Sequence, residues 1–234
     1  GWIVLGTPTV AIINILFLWL PVGLIAYNLR QNVSLALSIQ LLTGFGLIAV
    51  LLLYLVFPGI GQTLSEAFQQ LLKPALEQSG AVIEPAQLEN LLHWFARAVP
   101  GLLAIVMVFN ILLGLFLGRW WQALLFNPKG FAKEFNELRL GKILSSVTVL
   151  FFIAYLLVEN DWVLGSLLLL ASLMIVQGTA IMHGVIAQKQ LSRGWLFGFY
   201  VLLILIPQVT AIIAIVGLLD TWVDIRKQIT PKAD

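Results

Sequence analysis

Six uncharged, apolar stretches divide the chain: Trp2 to Leu29, Val33 to Phe57, Val99 to Gly118, Ile143 to Val158, Trp162 to Ala187 and Trp195 to Leu219. A charged side chain at mid-bilayer costs on the order of 2.5–3.5 kcal/mol, and about 20 apolar residues cross the hydrocarbon as one helix. The pattern therefore predicts an all-α polytopic transmembrane helical bundle, a single domain over residues 1–234 with six spans in this chain. The first stretch carries Pro8 and Pro21, and Trp19 falls inside it rather than at its edge, which predicts a break near Pro21. The fourth is short and borrows flanking residues. Pro207 and Gln208 interrupt the sixth, where a missing backbone donor invites a kink.

Two connections carry helical periodicity of their own. In the outer one, residues 59–98, Leu64, Phe68, Leu71, Leu72 and Leu76 share a stripe that ends near Gly80. A second run opens at Glu84-Pro85 and places Leu88, Leu91, Leu92 and Phe95 together. These predict paired amphipathic helices that either lie on the membrane surface, the plainer reading, or cap the outer mouth of the bundle. The inner one, residues 119–142, begins Arg119-Trp120-Trp121 and turns at Asn127-Pro128-Lys129-Gly130, a sequence suited to a type I turn. Phe131, Phe135 and Leu138 then form an i, i+4, i+7 stripe. Arg119, Trp120, Trp121, Phe131, Phe135 and Arg139 are the candidate contacts of this segment, with lipid headgroups first and a cytoplasmic partner second.

Composition agrees with the pattern and excludes a soluble globule, since 60% of residues are hydrophobic and 10% charged. Most Trp residues lie at span boundaries, where the indole meets the headgroup layer. Alternating spans, with the Arg119–Lys142 connector inside, put eight cations inside: Arg30, Arg119, Lys129, Lys133, Arg139, Lys142, Lys189 and Arg193. Five fall outside: Lys73, Arg97, Arg226, Lys227 and Lys232. Cytoplasmic loops hold the excess, so this orientation is expected in a bacterial inner membrane. The basic tail is then misplaced, and a re-entrant sixth segment turning at Pro207 would bring it inside. The N-terminus shows no basic n-region of a signal peptide. A net charge of +2 gives no reason to expect a nucleic-acid partner.

Chemistry-bearing motifs are sparse. There is no Cys and only two His, His93 and His183, so neither a thiolate nor a histidine-built metal site is expected, and no cofactor or enzymatic activity. Gly44-Phe45-Gly46 mimics a dinucleotide fingerprint but lies inside a span, where its glycines serve close helix packing. Gly114 with Gly118, Gly194 with Gly198 and Ala180 with Gly184 have small-xxx-small spacing, read as packing within the bundle, with homodimerisation open. Polar residues inside spans need a partner, a cavity or a ligand. Gln40, Asn110, Gln177, Thr179, His183 and Gln208 are thus the candidate ligand-binding set, weighed against the plainer reading that they bond across helices. Asp220 and Asp224, one turn apart, require offsetting cations: neighbours such as Lys227, or a partner Arg or divalent ion.

The string Arg119-Trp-Trp-Gln-Ala-Leu-Leu-Phe-Asn-Pro-Lys-Gly-Phe131, with Glu134-Phe135 and Leu138-Arg-Leu140, resembles the YybS-like family of uncharacterised bacterial membrane proteins. So does Gly217-Leu-Leu-Asp-Thr-Trp-Val-Asp-Ile-Arg226. The resemblance covers most of the chain and implies about two further spans upstream. The family is distantly similar to the S components of energy-coupling-factor vitamin transporters, although their coupling-module motif has no match here. Two functions follow as expectations. In one, the protein binds a small apolar or amphipathic molecule between the second, third, fifth and sixth spans for membrane transport. In the other, it is a non-catalytic scaffold or accessory subunit, with a membrane-protein partner or a second copy of itself.

Overall fold

A computed structural model describes residues 12, 15–32, 34–79, 84–192 and 194–229. Trp2, Pro8, Val33, Gly80, Arg193 and Lys232 lie outside them. Every regular element among the described residues is helical, so the protein is all-α.

The chain enters through a π-helical turn, Ile15–Trp19, followed by α1, Leu20–Asn32. The change of helix type falls at the expected break: Pro21 has no N–H for the carbonyl of Phe17, and the turn before it widens. Ser34 caps α2 (Leu35–Val56), its hydroxyl accepting from Leu37 N–H at 3.2 Å. After α3 (Ile60–Ser79) comes α4, Pro85–Phe126, a single helix of 42 residues. The third stretch is therefore only the middle of α4. At 1.5 Å per residue α4 is about 63 Å long against about 30 Å of hydrocarbon, so it protrudes at both ends. Arg119-Trp120-Trp121 belongs to its last turns rather than to a separate connector.

The outer amphipathic pair is present as two helical runs packed together: α3 lies along residues 85–98, which belong to the same continuous helix as the third stretch. Phe68 meets Phe95 with ring centroids 4.9 Å apart, and the Ser65 hydroxyl donates to Leu92 O at 3.0 Å. Pro100 sits inside α4 without interrupting it. The carbonyl it leaves free, Ala96 O, packs directly on Gly61, and the Tyr54 hydroxyl donates to the neighbouring Arg97 O at 2.5 Å.

At its other end α4 turns into α5, Gly130–Asn136. The turn is type II rather than type I. Lys129 takes a left-handed conformation (φ 70°, ψ 0°), which swings α5 back so that Phe131 and Phe135 both lie 5.6 Å from Phe116. An irregular stretch leads to α6 (Gly141–Leu157), and α7 (Asp161–Gln188) returns through the centre. Leu169, Leu170, Leu173, Gln177 and Ala180 of α7 are fully buried, as expected of a helix apolar all round and packed by neighbours on every side.

The sixth stretch is two helices, α8 (Gly194–Leu205) and α9 (Pro207–Val223), bent by 114° at Ile206. Pro207 removes the donor for Leu203 O, and the Thr210 hydroxyl supplies one at 3.1 Å. α8 leaves from the C-terminal end of α7, with the Tyr200 hydroxyl 2.8 Å from His183 Nε2. A short α10, Ile225–Ile229, follows α9, and Arg226 packs on Gly184 and Asn136 at that same end of α7. The segment is thus re-entrant, and the basic tail returns to where α8 began. Among the described residues, Lys73 and Arg97 are then the cations away from this basic end.

Among the described residues three helices are long and apolar enough to cross a membrane, α2, α4 and α7; the bent pair α5–α6 adds a fourth if it is one span, whereas the bent pair α8–α9 turns back as a re-entrant segment. Outward faces are apolar: Ile143, Leu157, Phe197 and Ile204 are each at least three-quarters exposed. A water-soluble bundle would not present such a belt. The protein is a membrane protein.

Glycines seat the central helices. A Cβ on Gly178 would strike Ile213 O, one on Gly217 would strike Met174 O, and one on Gly101 would strike the Gly165 backbone. We expect Gly217→Val to lower stability by about 1–3 kcal/mol or more, as overpacking against an immovable backbone does. Gly198→Ala, with nothing within 4 Å, should leave it unchanged. Thermal unfolding in detergent compares the two.

Candidate functional site

Two features gather the polar residues: a buried knot at the basic end of α7 and an open groove between α1 and α4.

The knot forms around the irregular stretch 137–140. Glu137 and Arg139 face outward, but Leu138 and Leu140 are 2% and 0% exposed, so the backbone groups of these two residues have no water to bond. Side chains from three helices take its place. Gln177 Oε1 accepts from Leu140 N–H and Gln40 Nε2 donates to Leu140 O, each at 2.8 Å. Arg226 donates from Nη1 to Asn136 O at 2.6 Å and from Nη2 to Leu138 O at 2.8 Å. Gln177 Nε2 also donates to Gly217 O at 2.7 Å and to Thr221 Oγ1 at 3.2 Å, and Thr221 meets Ser145 Oγ at 2.8 Å. Gln40 and Gln177 are accordingly ties between elements, with both amide atoms of Gln177 used inside the protein.

The paired acids are offset by arginines. Asp220 Oδ2 lies 2.8 Å from Arg226 Nη2 with side-chain exposures of 0% and 5%, and its Oδ1 accepts from Ile225 N–H. Asp224, in a left-handed conformation that ends α9, pairs with Arg139 at 2.6 Å and Lys227 at 2.9 Å. Hydrogen bonds from Arg139 and then Lys227 hold its carboxyl well below the usual carboxylate range. No cluster of three or more metal-ligating side chains occurs among the described residues.

The groove has a volume of about 730 Å³. Leu18, Trp19, Val22, Ile25 and Leu29 form one wall, and Asn110, Gly114, Gly118 and Gln122, each one turn below the last, form the other. It exists because α4 meets the chain at Ile15–Trp19 while α1 below packs on α2 instead. A Cβ on Gly114 or Gly118 would meet nothing within 4 Å, so their small faces open the groove and do not seat a helix, correcting the packing expectation. Arg30 and Arg119 stand at its basic end. Arg119 is held by Glu134 and by Gln122 Oε1 at 2.5 Å; Arg30 forms no ion pair among the described residues. A second cleft of about 420 Å³, near the opposite end beside Leu53 and Met107, is lined by apolar side chains alone.

The six expected ligand residues do not converge. Asn110 lines the groove and makes no hydrogen bond among the described residues. Gln40 and Gln177 belong to the knot. His183 bonds Tyr200 and sets its ring edge on Phe135 at 5.3 Å, while Thr179 is half-buried and Gln208 is exposed at the start of α9. Of the connector residues, Trp120 and Trp121 are exposed, but Phe131 and Phe135 pack inward on Phe116 and do not form a headgroup-facing stripe. Arg30, Trp19 and the α1 wall were missed as a site because no sequence spacing within α4 reveals that α1 stands off from it.

Spanning apolar helices around a knot of buried side-chain–backbone bonds define a polytopic α-helical membrane protein. No family model, curated protein or solved structure matches the chain.

Gln177→Leu leaves Leu140 N–H and Gly217 O without their partner, and we expect a loss of about 1–3 kcal/mol. Thr179→Val, outside the knot, should cost little; unfolding in detergent measures both. Because the folded carboxyl of Asp224 titrates below its unfolded value, its stabilising contribution is complete above the ordinary carboxylate pKa of about 3.9 and is lost as pH falls through the folded value. Asp224→Asn should therefore flatten the acid limb of the stability profile and leave its slope at pH 7 unchanged.

Proposed function

We propose that this is a non-catalytic protein of the bacterial inner membrane that binds an amphipathic molecule in the α1–α4 groove, as a carrier in membrane transport. The carrying observation is the groove itself. Its volume lies in the range of ligand sites, about 300–1,000 Å³. From Leu18 to Arg30, and from Asn110 to Gln122, it runs 12 residues along each helix, about 18 Å and close to the depth of one leaflet. Asn110 supplies an amide with no protein partner among the described residues near mid-bilayer depth, where an unmet polar group is costly. The basic end faces the cytoplasm in this reading, because Lys and Arg are concentrated there. Placement with the YybS-like family, on the strings at 119–140 and 217–226, is part of the same proposal.

An accessory-subunit reading rests on one observation, the projecting hairpin of α3 and the start of α4, where Leu71 is 77% exposed and Trp94 46%. Photocrosslinking from Leu71 to a membrane protein in intact cells is its test.

For the groove, a photoreactive hexadecyl probe should label peptides of α1 and α4 in detergent. A Cβ on Gly114 meets nothing within 4 Å, so Gly114→Leu extends into the groove and should reduce that labelling severalfold, with thermal stability retained. Labelling spread evenly over α6 and α8, or unaffected by Gly114→Leu, contradicts the proposal.

A further inference from the structure

Resting on the groove as a binding site, we propose that its occupant is an anionic glycerophospholipid drawn from the leaflet at the basic end, with its phosphate on Arg30. Three observations carry this.

The first is charge. Arg119 is the second guanidinium at the mouth, but Glu134 neutralises it and Gln122 orients it. Arg30 has no such acid among the described residues, and the nearest carboxylate identified at the mouth is already engaged. A guanidinium at headgroup depth with no counter-charge takes a phosphate through two parallel N–H···O bonds, a geometry that a trimethylammonium head on the same phosphate does not oppose but does not strengthen. The net charge at the mouth is therefore one positive, and it favours a lipid that brings one negative.

The second is depth. The apolar wall from Leu18 to Leu29 ends one residue before Arg30, so chain and head are separated along the groove as they are in a leaflet. A lipid already in that leaflet reaches the site by lateral movement and keeps its head at the water interface. A detergent-like molecule from the aqueous phase has to cross the headgroup layer first.

The third is the route. Gly114 and Gly118 remove the side chain from one position on each of two successive turns of the α4 wall, between Leu115 and the polar residues at its ends, and α1 packs on α2 rather than on α4. The groove is consequently open sideways along its length, a requirement for an acyl chain entering from the bilayer and an unnecessary one for a soluble substrate. Basic pockets between helices on the cytoplasmic side are recurrent sites for acidic lipid heads.

The test uses the full chain in nanodiscs containing equal parts of phosphatidylglycerol and phosphatidylcholine with matched acyl chains, ejected intact into a native mass spectrometer. Wild type should retain phosphatidylglycerol about fivefold over phosphatidylcholine, the discrimination expected of one cation at a membrane surface. Arg30→Gln should bring the ratio close to one while lipid is still retained; Arg30→Lys should preserve part of it. Gly114→Leu should remove the retained lipid of either head. Equal retention of the two lipids by wild type overturns the assignment of an anionic head and leaves the groove reading standing. Retention that is selective but unaltered by Arg30→Gln overturns the role of Arg30. Retention of lipid undiminished by Gly114→Leu overturns both this inference and the groove reading. Adding palmitate or lysophosphatidylglycerol to the nanodiscs separates the sources: displacement of phosphatidylglycerol by either at low molar ratio would assign the site to a free single-chain anion and contradict a resident phospholipid.

Discussion

A backbone without helix, placed where no water reaches, has to find its hydrogen bonds in side chains, and the rest of this bundle is arranged around that need. Residues 137–140 join α5 to α6 beneath the end of α7. The Leu140 amide and the carbonyls of Asn136, Leu138 and Leu140 are met by Gln40 from α2, Gln177 from α7 and Arg226 from α10. Each of those side chains also fixes the element that carries it. Gln177 reaches Gly217 and Thr221 and so sets the depth of α9; Arg226 brings Asp220 with it, and both are buried only because each neutralises the other. Gly178, Gly184 and Gly217 provide the close backbone approach that lets these short bonds form.

The re-entrant course of the last segment follows from this arrangement. Pro207 permits the 114° bend, but a bend alone does not choose a direction. The return is chosen by the guanidinium of Arg226, which donates to the carbonyls of Asn136 and Leu138 at the basic end. Cations consequently collect at one end of the molecule, as expected of a chain inserted with that end toward the cytoplasm. At the far side of the bundle the constraint is absent. α1 contributes no residue to the knot, packs on α2, and leaves α4 uncovered along its glycine turns. The groove is thus the place where the bundle is least closed, next to a core that is tied by hydrogen bonds at its base.

Hydropathy made the fold class legible, because residues such as Leu169, Leu170 and Leu173 sit in unbroken apolar runs that need no tertiary information to interpret. It also marked the weak points correctly at Pro21 and Pro207, where the missing donor acts locally. Helix continuity was not legible. The charged and amphipathic flanks at Glu89, Arg97 and Arg119 read as connecting segments separate from the span, yet they continue the same helix, since a helix leaving the bilayer keeps its own hydrogen bonds. Polar residues within spans were recognised as needing partners, but the partners of Gln40 and Gln177 are backbone atoms 100 and 37 residues away, which spacing along one helix does not encode. Gly114 and Gly118 show the same limit: their spacing is that of a helix-packing face, and only the position of α1 makes it the wall of a groove.

Side-specific labelling of single cysteines measures the course of the chain directly, and the absence of native Cys makes each reporter unambiguous. Cysteines introduced at Lys129, Gln228 and Leu71, probed in sealed vesicles with a membrane-impermeant maleimide, report the α4–α5 turn, the tail and the projecting hairpin. The account predicts that Lys129 and Gln228 label from one side and Leu71 from the other. Labelling of Gln228 together with Leu71 would mean that the last segment crosses the membrane, and would contradict a tail held at the basic end by Arg226.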